Sequence, residues 1–220
     1  MEVARFARPG DPAGRSLVVM LPGAHIRPHD FDSEGFIPAL RQRSPRADAV
    51  ALGLDLADYI EPDFPAQLHN GVIAPALQQG YAQISLVGIS LGGMGALLYA
   101  AAYPDHAGTI ILIAPFLATR GTIAEVTMAG GLAAWDPGAD ALGDIERDLL
   151  AWLKSPGFAA RIRPRLILGY GRDDRFAEAS AILARVMPSE RVIAIAGGHD
   201  WTTWLQLWRR ILDEPPGEFP

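Results

Sequence analysis

Six short apolar runs, spaced along the chain and separated by helix-like segments, limit what this sequence can fold into more than any other feature. They fall at residues 17–21, 47–52, 84–89, 109–114, 165–170 and 191–196 and are rich in Val, Ile and Leu, with Gly or Pro close by. Continuous apolar runs of this length suit strands covered on both faces, as in a parallel sheet. The segments between them carry a helical period instead. Leu91, Met94, Gly95, Leu98 and Ala102 share one face of a segment that ends before Pro104. Phe176, Ala179, Ile182, Leu183 and Val186 do the same before Pro188, and residues 64–79 form a further helix closed by Gly80. Trp201, Trp204, Leu205, Trp208, Ile211 and Leu212 make the apolar stripe of a last helix. Strands alternating with helices predict an α/β fold: a mostly parallel central sheet with helices on both faces.

At 220 residues the chain fits a single domain, residues 1–220. One stretch interrupts the rhythm. No convincing strand lies between Pro115 and Pro164, and the segment 116–160 reads as a short helical lid inserted over one end of the sheet. A single crossover helix with loose flanks is the alternative. With Lys and Arg totalling 19 against 25 Asp and Glu, the net charge of −6 argues against a nucleic-acid partner. The absence of cysteine excludes a disulfide scaffold, a thiolate metal site and a cysteine nucleophile. Residues 1–10 lack the apolar centre of a signal peptide, and no apolar stretch is long enough to span a bilayer. A cytoplasmic protein without a membrane partner is the expectation; the oligomeric state is not legible.

Gly88-Ile89-Ser90-Leu91-Gly92 fits the pattern Gly-x-Ser-x-Gly. Its surroundings matter more than its letters. A strand-like run leads in and an Ala- and Leu-rich helix leads out, which is the context a nucleophile elbow needs. The turn is sharp, so small residues must flank the serine, and Gly88 and Gly92 supply them. No Gly-Lys-Ser/Thr follows, so a phosphate-binding loop is set aside.

These residues resemble the elbow and following helix of the α/β-hydrolase superfamily, among its small esterases and thioesterases. Downstream motifs extend the resemblance. Gly169-Tyr170-Gly171-Arg172-Asp173-Asp174 is similar to the segment that carries the family's acid, and Gly197-Gly198-His199-Asp200-Trp201 to a C-terminal signature of its "putative esterase" group. The resemblance covers residues 17–212. It implies Ser90 as nucleophile, His199 as base and Asp174 as the acid that orients the base, with Asp173 as the rival acid. It implies an oxyanion hole from the backbone N–H groups of Leu91 and of Ala24, in Pro22-Gly23-Ala24 where the family often has His-Gly-x. His25, Phe116 and Trp135 are the candidate substrate contacts, the last two together with Leu117, Met128 and Leu132 as an apolar wall above Ser90. Asp200 is expected to cap the last helix, His106 to lie at the surface and His69 to pack away from the site.

The chemistry hangs together. A serine hydroxyl needs a neighbouring base to take its proton, and that imidazole needs a carboxylate to hold its tautomer. Nothing in this requires a metal or cofactor, and no His, Asp and Glu cluster has metal-ligand spacing. The expected activity is cleavage of a small-molecule carboxylic or thio ester through an acyl-enzyme. Acyl transfer to another acceptor, or a non-catalytic binding module on the same fold, are the alternatives.

Overall fold

The computed structural model describes residues 2–106, 108–138 and 143–213. Among them, seven strands form one sheet: β1 (Glu2–Phe6), β2 (Ser16–Leu21), β3 (Ala47–Gly53), β4 (Gln83–Ile89), β5 (Ile110–Ile113), β6 (Leu166–Gly171) and β7 (Val192–Ile195). Their order is β1-β3-β2-β4-β5-β6-β7. The pairings from β3 across to β7 are parallel, and only β1 runs antiparallel, against β3. The six apolar runs therefore correspond to β2 through β7. The strand β1 has no counterpart in the sequence reading. It is a charged edge strand whose one buried residue is Ala4.

The helices are α1 (Asp30–Ser33), α2 (Phe36–Arg43), α3 (Leu56–Ile60), α4 (Phe64–Leu68), α5 (Ala74–Gln78), α6 (Leu91–Ala102), α7 (Arg120–Met128), α8 (Ile145–Leu153), α9 (Ala177–Ala184) and α10 (Trp201–Leu212). The helix expected over 64–79 is α4 and α5 joined by a widened π turn, His69–Ile73. That turn precedes Pro75, which has no N–H to give and would crowd the carbonyl four residues back. The interrupted stretch holds α7 and α8 and, among the described residues, no strand. None of the described helices is long and apolar enough to cross a membrane.

Alternate side chains of the strands feed two cores. Leu17, Val19, Leu21, Leu86, Leu112 and Leu168 face the layer that contains α6 and α9, while Val18, Met20, Val87, Ile89, Ile111 and Ile113 face α2 and α10. The last helix follows its predicted stripe. Asp200 caps it by accepting the Thr203 N–H at 2.9 Å, and Arg209 and Arg210 sit at its negative C-terminal end. Trp208 stacks on Phe36 and donates its indole N–H to the Phe36 carbonyl at 3.0 Å, which locks α10 to α2. For α6 the one-faced expectation needs correcting. Gly92, Gly93, Ala96, Leu97, Tyr99 and Ala100 are buried as well, while Ala102 is exposed, because neighbouring elements enclose the helix on nearly every side.

One polar residue breaks the third strand's apolar run. Asp48 is fully buried and holds three partners: the Arg15 guanidinium at 3.0 Å, the Tyr81 hydroxyl at 2.9 Å and the Arg8 N–H at 2.9 Å.

Strand order also locates the crevice. From β2 the chain steps out to β3, then returns to place β4 on the other side of β2. Connections leaving β2 and β4 thus diverge, and a cleft opens outside the carboxyl ends of these strands. Leu21 pairs with Gly88 in register, so residues 22–25 and Ser90 leave the sheet side by side.

Candidate active site

Ser90 sits between β4 and α6 with φ 53° and ψ −116°, a strained conformation for a residue with a side chain. Three backbone bonds hold it there. Its N–H donates to Ile113 O at 2.9 Å, and its carbonyl accepts from Phe116 N at 2.8 Å and Gly93 N at 2.9 Å. Glycine on either side is a steric requirement. A β-carbon at Gly88 would collide with the Gly92 backbone, and one at Gly92 would collide with the Leu21 carbonyl. The elbow therefore packs backbone to backbone against the end of β2.

The loops after β6 and β7 bring the other groups. His199 Nδ1–H donates to Asp174 Oδ2 at 2.7 Å, because an ionised carboxylate only accepts. That leaves Nε2 as acceptor for the Ser90 hydroxyl at 2.9 Å. Asp174 Oδ1 is also occupied, by the Phe176 N–H at 2.7 Å. The Asp174 and His199 side chains are only 1% and 8% exposed, so water competes little for these bonds. Asp173 does not reach the imidazole. Its Oδ2 instead accepts the Gly197 N–H at 3.1 Å and braces the loop that carries His199.

Two aromatic edges hold the imidazole. Phe176 and Trp204 each meet the His199 ring edge to face with centroids 4.9 Å apart. Both positions carry apolar residues in helical stripes, so the sequence reading assigns them to the core. Their contact with His199 depends on two loops converging, and no local pattern records that.

Across the cleft, the N–H groups of Ala24 and Leu91 make no backbone hydrogen bond among the described residues. Tyr59, fully buried, donates its hydroxyl to the Pro22 carbonyl at 2.8 Å and so fixes the loop before Ala24. Burial, with the Asp58 charge added, holds that phenol well above its usual pKa. Sequence reasoning missed Tyr59, although Asp55 and Asp58 form a capping box at the start of its helix that was there to be found.

The remaining candidates divide. His25 is exposed at the cleft with φ 64°. Phe116 is half-buried and meets Phe176 edge to face at 5.6 Å. Trp135 is 3% exposed, lies beside the Arg147 guanidinium and has no ring contact or hydrogen bond to Ser90, His199 or Asp174. Leu117 and Leu132 are buried in the same core cluster as Trp135, while Met128 is 85% exposed. The structure therefore does not gather these residues into one wall above Ser90. His106 is exposed, and His69 stacks on Tyr103 beyond the C-terminal end of α6. An apolar recess of about 410 Å³, bordered by Tyr59, Leu98 and Trp152, lies apart from Ser90, His199 and Asp174. Among the described residues, no group of three or more His, Asp or Glu side chains is placed to hold a metal ion.

A family model described as "Putative esterase" matches residues 73–213, well over half of the chain. The chain belongs to this esterase family. Its matched span includes Ser90, Asp174 and His199. No curated protein sequence matches this family member. Solved structures share its α/β-hydrolase fold. A ferulic acid esterase aligns with TM-score 0.65 at 14% identity, over 92% of this chain and 84% of its own. A monoacylglycerol lipase from Paleococcus ferrophilus aligns with TM-score 0.62 at 18% identity, over 96% of both chains. A fluorophosphonate-binding serine hydrolase from Staphylococcus aureus aligns with TM-score 0.63 at 12% identity, over 91% and 82%. At these identities the likeness to this esterase-family chain is one of fold.

Proposed function

We propose that this protein is a serine hydrolase that cleaves carboxylic or thio esters, with Ser90 as nucleophile, His199 as general base and Asp174 as the orienting acid. The observation that carries the reading is the unbroken series from Asp174 through His199 to Ser90, with bonds of 2.7 and 2.9 Å. In the first step Ser90 Oγ bonds to the substrate's carbonyl carbon and its proton passes to His199 Nε2. The oxygen that gains charge is met by the N–H groups of Leu91 and Ala24, with the positive end of α6 behind it. As the carbon–oxygen or carbon–sulfur bond breaks, His199 returns the proton to the leaving group. Water then attacks the acyl-enzyme with His199 again as base, which restores Ser90 and releases the acid. His25 borders the cleft on the oxyanion side, and Phe116, at the start of the insertion, borders it on the His199 side through Phe176. Trp135 acts there through the packing of the insertion.

Intact-mass measurement after fluorophosphonate treatment tests this without a guess at the substrate. We expect one adduct on the wild type, none on Ser90→Ala and slowed labelling of His199→Ala. An unlabelled but folded wild type would sink the proposal.

A further inference from the structure

Beside the proposed catalytic centre lies a small recess that the reaction does not use. Arg120, the first residue of α7, and Arg175, just before α9, both line it, together with Ala118, Ile123, Phe176 and Glu178. Phe176 connects it to the chemistry. The Arg175 guanidinium stands 5.1 Å from the Phe176 ring centre, and the same ring meets His199 edge to face. Neither arginine makes a hydrogen bond or ion pair with any described residue. The nearby carboxylates are held elsewhere: Asp174 by His199 and the Phe176 N–H, Asp173 by the Gly197 N–H. Glu146 accepts from the Thr119 N–H and the Thr122 hydroxyl. Glu178 is the one carboxylate in the lining, and its Oε1 accepts the Thr127 hydroxyl at 2.7 Å. Thr127 stands about 10 Å along α7 from Arg120, so this bond draws Glu178 away from the arginine.

Resting on the hydrolase reading above, we infer that this recess is a subsite for a carboxylate carried by the ester substrate, bound by Arg120 and Arg175 a short linker away from the carbonyl that Ser90 attacks. Size limits the ligand. The cavity holds about 30 Å³, against a minimum of roughly 10–15 Å³ for one water. That is room for a group the size of a single carboxylate. Planar guanidinium groups match such a group in shape as well as charge. The preferred substrates are therefore monoesters of short dicarboxylic acids, or esters of short hydroxy acids. Either places a free carboxylate at a fixed reach from the scissile bond.

The test compares matched esters. On the acyl side, monomethyl adipate is measured against methyl hexanoate; on the alcohol side, 4-acetoxybutanoate against butyl acetate. An exposed ion pair changes an equilibrium by up to about fivefold. With two arginines on one carboxylate, the wild type should favour the anionic member of one pair by about tenfold in kcat/KM, through KM, with the preference shrinking as salt is added. Arg120→Ala and Arg175→Ala should each shrink that ratio, and Arg120→Glu should invert it. A ratio near one in both pairs, or a ratio indifferent to these substitutions, overturns the subsite. If no ester is turned over, ligand-observed NMR on Ser90→Ala still decides. Monomethyl adipate should bind better than methyl hexanoate, or 4-acetoxybutanoate better than butyl acetate, and adding Arg120→Glu should invert that preference; equal binding within both pairs overturns the proposal. Failure of the hydrolase reading would show separately, as a missing fluorophosphonate adduct.

Discussion

Two adjacent aspartates at the end of β6 hold different environments, and the contrast makes a sharp prediction at the scale of one residue. Asp174 is buried, with both oxygens engaged, and it alone meets the imidazole. Asp173 is exposed and steadies a loop N–H. On the proposed mechanism Asp174→Asn should lower kcat by about four orders of magnitude, because the amide stabilises the wrong imidazole tautomer. Asp173→Asn should lower it far less, since an amide oxygen can still accept from Gly197. Steady-state kinetics on the first ester found to turn over would check both, and similar losses would mean the assignment is wrong. The sequence narrows the acid to this pair and favours Asp174 on the family's spacing, with Asp173 left as the rival. Two consecutive residues after a strand point in different directions, and the turn that follows decides which one meets the histidine. Phe176 and Trp204 were equally hidden, because an apolar residue at a helical position looks the same whether it touches Leu or His199.

Among the elements, the parallel strands were legible because burial on both faces leaves one unbroken apolar signature. The edge strand β1 was not, since Glu2 and Arg5 face solvent and pairing with β3 alone keeps it extended. The short helices α1 and α3 were also hidden; they span five residues or fewer and depend on tertiary contacts. Within β3, Asp48 joins elements that are distant in sequence. It ties the chain after β1, the start of β2 and the approach to β4 through Arg8, Arg15 and Tyr81. Removing the cation leaves a buried carboxylate with only neutral donors, so Arg15→Met should cost about 3 kcal/mol in urea unfolding. Replacing both partners, as Arg15→Met with Asp48→Leu, should recover part of that loss. A single substitution within about 0.5 kcal/mol of wild type would show that the ion pair contributes little.

For the whole molecule, two groups far from the cleft, one on either side of neutrality, help set the pH range over which the fold is firmest. Partial burial, helped by the nearby His106, lowers the pKa of His69 from 6.5. The folded state then resists a proton that the unfolded chain accepts, so stability is full above 6.5 and declines as pH falls through the folded value. Tyr81 behaves in the opposite sense. Burial, together with its hydrogen bond to Asp48, pushes its phenol up to about 12 from 10. Its contribution is complete below 10 and disappears as pH climbs toward 12. Thermal unfolding at about pH 5, 8 and 11 should therefore give the highest midpoint at the central value. His69→Gln should flatten the acid side, and an unchanged acid side would remove His69 from the explanation. Fold class was readable at this scale because strand–helix alternation survives without knowledge of any contact. Neither pH limit was readable, because each arises where a helix end or strand end meets a distant ring. A last consequence concerns descent. Ser90, His25 and Ala114 all hold backbone angles that residues with side chains rarely adopt, and glycine would relieve such a turn. A lineage relieved of its reaction could exchange serine for glycine at position 90 and inherit a sturdier, silent protein. Purifying selection for turnover would then be all that keeps the tighter, less comfortable elbow in the population.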